Sequence, residues 1–143
     1  MAVSIKAVEL WRSEVANKPG TLAAALTPLA EAGADLRVVM GYRFSGRSKA
    51  AIEVFPVKGR KAEAAARAAG LARSGIPTLL IEGDNEPGLG SVVAQALADA
   101  GINLAFFMGN VIGAHYSALA AFESQEDQHK AQALIRKAVG RKK

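Results

Sequence analysis

Two short stretches of this chain combine residue types that could hold a small charged molecule. Asn17-Lys18-Pro19-Gly20-Thr21 and Asn85-Glu86-Pro87-Gly88-Leu89-Gly90 each separate an apolar run from a helical pattern. The first amides of a helix lack intrahelical acceptors and sit at the positive end of its dipole, so a helix start can hold a carboxylate. At the second stretch the amides of Gly88, Leu89 and Gly90 would meet such an anion with almost no side chain in the way. Asp84 or Glu86 could attract an ammonium group, and Asn103 could hydrogen-bond an amine or a side chain. A plainer use of the same residues is architectural: Pro-Gly makes a tight helix start, and Asn17 and Asn85 cap backbone. Both uses stay open at this point.

The elements that position these residues occur twice. Residues 17–36, NKPGTLAAALTPLAEAGADL, and residues 85–104, NEPGLGSVVAQALADAGINL, are one element offset by 68 positions. Met40-Gly41 then falls against Met108-Gly109, and Ala50 against Ala118, without a gap. A fixed internal period outranks other signals in assigning a fold, and two copies make a pseudo-symmetric pair, since a solenoid needs about three. About 70 residues is marginal for an independent core, so the copies are expected to share a core or to pair with another chain.

Within the first copy, residues 5–15 form a strand-like run that Asn17-Lys18-Pro19-Gly20 breaks. Pro19 suits the first position of the following helix. Leu22, Leu26, Leu29 and Ala30 give that helix its apolar stripe, and Gly33 caps it. Residues 35–44 alternate as a half-buried strand, Ser45-Gly46 turns the chain, and Ala50, Ile52 and Val54 alternate along the next strand. Residues 59–74 read as an Ala-rich amphipathic helix. The second copy repeats the plan with a strand at 77–83, a helix ending at Gly101, strands near 103–109 and 115–123, and a helix near 125–139. Ser124 with Asp127 resembles a capping box at that last helix. Each copy is thus β-α-β-β-α, most of a split βαβ ferredoxin-like module. The fourth strand is missing from both: either the second copy's first strand doubles as that edge, or an edge stays open to another chain.

Strand, then N-x-P-G, then a helix closing at A-G-x-[ND]-[LI] resembles the ACT domain, a small ligand-binding regulatory module. The resemblance covers nearly the whole chain, in identical register in both copies. It implies an α+β fold of two tandem ferredoxin-like modules, residues 1–75 and 76–143, with antiparallel sheets and helices on one face. It further implies an amino acid or similar metabolite bound between paired modules, a homodimer, and a partner enzyme to regulate. By position, the ligand contacts would come from Asn17, Pro19, Gly20, Thr21 and Asp35 in one copy. Asn85, Pro87, Gly88, Leu89, Gly90 and Asn103 would serve in the other. In serine-binding members an Asn two residues before the Pro contacts ligand, and a second Asn, at the start of the following strand, reaches it from the neighbouring module. Asp35 and Asn103 hold that second position here, so the second copy, with both asparagines, is the better candidate. Those members also carry a His four residues before the Pro; Val15 and Gly83 stand there instead, which speaks against serine itself.

Composition excludes several classes. Zero cysteines remove disulfides, thiolate metal sites and cysteine nucleophiles. No secretory leader pattern opens the sequence, so a cytoplasmic location is expected. Residues 102–122 contain no charged side chain and have the length of a membrane span, but Gly109, Asn110 and Gly113 interrupt them; they read as two buried strands and a turn. The net charge of +5 is uneven: residues 1–75 carry twelve Lys/Arg against six Asp/Glu, residues 76–143 six against seven. Solvated helix faces and the tail Arg141-Lys142-Lys143 account for most of it; docking onto an acidic face is the sharper alternative. His115 reads as a buried hairpin residue and His129 as solvated, and neither has metal spacing. Gly88-Leu89-Gly90-Ser91-Val92-Val93 lacks the third small residue of a dinucleotide fingerprint. Lys49 and Ala51 stand where an RNA-binding sheet would carry aromatic rings, so base stacking is not expected, and nucleic acid is left only the less favoured route of a non-specific basic patch formed by Arg60, Lys61, Arg67 and the tail. No catalytic residue, metal or cofactor is expected.

Overall fold

The computed structural model describes residues 3–44, 46 and 48–140. Ser45 of the expected turn, Arg47, and the tail Arg141-Lys142-Lys143 lie outside the described residues. The chain divides into two units, and the division does not fall where the repeat suggests. Strand β1 (Val3–Val8) belongs with the chain from Ile76 onward, while Glu9–Gly75 forms the other unit.

The Glu9–Gly75 unit runs β2 (Trp11–Ala16), α1 (Thr21–Glu31), β3 (Val38–Phe44), β4 (Lys49–Phe55), α2 (Arg60–Ala68) and β5 (Ala72–Arg73), with sheet order β3-β4-β2-β5. Strands β3 and β4, β4 and β2, and β2 and β5 all pair antiparallel. Ala25 and Leu29 of α1 and Ala62 and Ala66 of α2 pack with Trp11, Ile52 and Val54, so both helices cover one face of the sheet. Gly33, at φ 82°, lets the chain leave α1: its amide reaches the Ala30 carbonyl, and Ala34 reaches back to Leu29. The expected helix over 59–74 stops at Ala68, because Gly70 at φ 88° turns the chain and Ala72-Arg73 joins the sheet beside β2. The guanidinium groups of Arg67 and Arg73 both lie over the Trp11 ring, at 5.2 and 5.5 Å, and hold that short strand against it.

The other unit runs β6 (Thr78–Asp84), α3 (Leu89–Asp99), β7 (Leu104–Ile112), β8 (His115–Phe122) and α4 (Gln125–Gly140), with sheet order β1-β6-β8-β7. Its core joins Val93 and Leu97 of α3, Ala131 and Ile135 of α4, and Leu79, Ile81 and Phe122 of the sheet. Ser124 accepts a hydrogen bond from the Asp127 amide at 3.1 Å, the cap expected at α4. Each unit is therefore a complete four-stranded antiparallel sheet with two helices on one face, and each has its own core.

Three expectations are corrected here. The missing fourth strands are neither shared nor left open: β5 completes one sheet and β1 completes the other, pairing antiparallel with β6. Gln132 of α4 fastens β1 through the Ile5 carbonyl at 2.8 Å. The repeat also has a gap. Gly41 faces Ile52 across β3–β4, whereas Gly109 faces Ala118 across β7–β8. The offset falls from 68 to 66 because four residues join β3 to β4 and two join β7 to β8. Ala118 thus corresponds to Ile52, and the counterpart of Ala50 is Tyr116. Finally, residues 102–122 do form two strands, but β8 is the buried one. As the sheet's edge, β7 leaves Phe107, Met108, Val111 and, at 74% exposure, Ile112 in solvent. No helix among the described residues is long and apolar enough to cross a membrane.

Candidate functional site

The first hinge joins β2 to α1. Asn17 donates its amide to Ser48 at 3.0 Å, which ties the hinge to the start of β4. Pro19 stands outside the helix, not at its first position; Gly20 is the N-cap, at φ 95° and ψ −16°, with no side-chain cap. The Thr21 amide turns back to the Lys18 carbonyl at 3.4 Å, and the first intrahelical bond runs from Ala24 to Gly20 at 2.9 Å. By helix geometry the amides of Leu22 and Ala23 then have no intrahelical acceptor. A cleft of about 370 Å³ opens beside them, lined by residues 17–22, by Gly41, Tyr42 and Arg43 of β3, and by Ala50, Ala51 and Ile52 of β4. Lys18 and Arg43 bring two positive charges to a lining that contains no acidic residue, and the helix start adds to their field. Such a cleft suits an anion.

Tyr42 also reaches away from the cleft. Its hydroxyl donates to Glu53 at 2.6 Å, and Glu53 is fully buried. Arg12 Nε lies 3.6 Å from the same carboxylate, while Arg12 Nη1 donates to Glu14 at 2.6 Å. Burial raises the Tyr42 pKa, and the hydrogen bond and charge of Glu53 raise it further. Arg12's hydrogen bond lowers the pKa of Glu14. Burial opposes the charge of Arg12, yet Glu14, Tyr42 and Glu53 together outweigh it and its pKa is raised. Ala51, on the same sheet, is buried.

The second hinge joins β6 to α3 with the same backbone. Asn85 donates its amide to Ala114 at 2.8 Å, Gly88 is a left-handed N-cap at φ 84° with no side-chain cap, and Pro87 again precedes the helix. Two features depart from expectation. The Leu89 amide is turned to the Glu86 carbonyl at 3.2 Å, and its side chain is buried in the core. The space beyond the helix start holds the ring of Tyr116. A Cβ on Gly90 would come within 3.8 Å of the Tyr116 hydroxyl, and one on Gly109 within 3.3 Å. Tyr116 is 6% exposed, its hydroxyl has no hydrogen-bond partner among the described residues, and burial raises its pKa.

Of the residues singled out by sequence, Asn17, Pro19, Gly20 and Thr21 come together around the first cleft. Asn85, Pro87, Gly88, Leu89 and Gly90 come together at the second hinge. Asp35 and Asn103 join neither hinge of their own unit. Asp35 precedes β3 near the Arg37-to-Phe55 hydrogen bond, and Asn103 donates to Glu123 at 3.3 Å beside the start of β7. The hinge lies by the far end of that strand, and the eight steps from Leu104 to Ile112 span roughly 27 Å. His115 is exposed at the start of β8, 3.9 Å from Glu82, instead of buried. Gly41, Tyr42, Arg43, Ala50 and Tyr116 were not anticipated as parts of these sites. The unequal hairpin lengths were the signal that could have found Tyr116.

No family model and no curated protein matches the chain. Solved structures do. The protein BT0572 from Bacteroides thetaiotaomicron superposes with a TM-score of 0.73 at 14% identity, over 92% of this chain and 90% of that one. The regulatory subunit of aspartate kinase from Thermus thermophilus, in ligand-free form, gives 0.63 at 19% identity over 96% and 97%. The corresponding subunit from Thermus flavus gives 0.59 at 20% identity over 97% of each chain. At such identities the likeness is one of fold, and the fold of this chain is ACT-like, two four-stranded antiparallel units each carrying its helices on one face.

Proposed function

We propose that this chain is a non-catalytic regulatory sensor that binds an amino acid or a similar small carboxylate metabolite. The observation that carries the reading is the cleft at the start of α1. Its volume of about 370 Å³ falls in the range of roughly 300–1,000 Å³ common for small-ligand sites. Uncapped amides at Leu22 and Ala23, with Lys18 and Arg43, would hold the carboxylate, while Asn17 and Thr21 orient the rest. Asp35 and Asn103 stand far from the hinges of their own units and would therefore contact ligand only from another module. Occupancy would favour one arrangement of modules over others, and a partner enzyme would respond to that shift. The likeness to regulatory subunits of aspartate kinase supports such a role beside a separate catalytic chain. The reading places the protein in the cytoplasm, with no cofactor and no metal.

Homodimerisation belongs to the same proposal. Strand β7 is an unpaired edge with exposed Phe107, Met108, Val111 and Ile112 and with no charged residue from Leu104 to Ile112. Two such edges can meet in antiparallel register without like charges opposite one another. A second reading, an interaction subunit that keeps the fold without a ligand, rests on this same edge. Calorimetric titration with each of the twenty amino acids separates the two. The sensor reading expects binding by at least one, weakened about tenfold or more by Arg43→Ala; heat from none of them would leave the interaction subunit.

A further inference from the structure

We infer that Tyr116 closes the second hinge, so that each chain presents one ligand-binding hinge, the first. The inference rests on the sensor reading above and adds its stoichiometry and the residue that sets it. Strand register supplies the correspondence. Ala50 pairs with Val15 and Arg43, and its counterpart Tyr116 pairs with Gly83 and Val111. Around the first hinge stand Leu22, Val15, Gly41 and Ala50; around the second, Gly90, Gly83, Gly109 and Tyr116. One aromatic ring thus replaces two aliphatic side chains and fills space between the helix start and the edge strand. A Cβ at Gly109 would already be 3.3 Å from its hydroxyl, tighter than ordinary contact. Among the described residues that hydroxyl has no hydrogen-bond partner, and Tyr116 packs as part of the core with Val93, Ala118 and Leu97.

Charge points the same way. Lys18 and Arg43 of the first cleft correspond to Glu86 and Val111 at the second hinge, and Asp84 ends the strand that leads into it. A carboxylate approaching α3 meets acidic side chains where α1 offers cations. The second hinge is thus both filled and of the wrong sign for an anion.

Three variants test this by calorimetry with the twenty amino acids and by thermal melts with p-cresol. The unaltered chain should bind one amino acid per chain. Tyr116→Ala combined with Glu86→Lys should raise that to two, and Ala50→Tyr should lower binding at the first cleft at least tenfold. Two bound molecules per unaltered chain would overturn the inference while leaving the sensor reading intact, as would a double variant that folds and still binds one. Should the double variant fail to fold, Ala50→Tyr decides: undiminished binding overturns the inference. If no amino acid binds the unaltered chain, the sensor reading fails, and p-cresol still tests the closure. It should raise the melting temperature of Tyr116→Gly and not of the unaltered chain; an equal response from both refutes a ring-shaped space.

Discussion

Tyr42→Phe removes one oxygen and should weaken the Glu9–Gly75 unit far more than its partly exposed position suggests. Glu53 has no exposed surface, and its short donor is the Tyr42 hydroxyl at 2.6 Å. Arg12 Nε stands 3.6 Å away, and Glu53 Oε1 has no hydrogen-bond partner among the described residues. A hydrogen bond to a charged group contributes about 1.5–3 kcal/mol, and a buried acceptor left without it bears the desolvation penalty. The expected loss is therefore about 2 kcal/mol, a factor of roughly 30 in the folding equilibrium. Trp11, the chain's single tryptophan, lies in the core of the same unit, so its fluorescence in a urea titration at pH 7 reports the change. The midpoint should fall by about 1 M, given a slope of about 1–3 kcal/mol per molar urea. A second background isolates the cause. The counterparts of Arg12 and Glu53 in the other unit are Leu80 and Leu119, so Arg12→Leu with Glu53→Leu copies an apolar solution this chain already uses. Replacing a buried charged pair by packed aliphatic residues is often neutral or stabilising. In that background Tyr42→Phe should cost under about 0.5 kcal/mol, since there is no carboxylate to desert. An equal cost in both backgrounds, or a shift below about 0.5 kcal/mol in the natural one, would refute the reasoning.

The chain's two tyrosines, Tyr42 and Tyr116, both have raised pKa values, mainly from burial, so absorbance at 295 nm should show no folded-state titration at the ordinary value near 10. Because the folded values are raised, the stability they contribute is complete below about pH 10 and is lost as pH rises through them; a tyrosine midpoint near 10 in the folded chain would contradict both placements. Gly109→Ala should cost about 1 kcal/mol by crowding the Tyr116 hydroxyl, and less in a Tyr116→Phe background, although Ala118 Cβ at 3.4 Å stays; equal costs would place the hydroxyl elsewhere. Ile112→Lys, at the most exposed apolar residue of β7, should halve the sedimenting mass without changing the melting temperature of the monomer, and an unchanged dimer would move the interface off this edge.

The hinges were legible in the sequence because their causes are local. Gly20 and Gly88 adopt positive φ before a helix, Gly33 and Gly101 after one, and those preferences depend on a few neighbouring residues. The helical stripe of Leu29 and the alternation of Ile52 and Val54 are local as well, and with the 68-residue period they sufficed for the α+β fold with helices on one face.

What the sequence determined by itself was the order of elements, the turn chemistry at each Pro-Gly hinge and the absence of thiol chemistry. Tertiary structure alone decided that β1 joins the unit from Ile76 onward, that Tyr116 stands where Ala50 stands, and that the open cleft belongs to the first hinge. Strand partnership and the filling of space depend on residues far apart in the chain, here 80 positions between Val3 and its strand partner Gly83 and 26 between Gly90 and Tyr116. A pattern repeated along the chain records which conformations are cheap locally; it does not record which side chain arrives first in a shared volume.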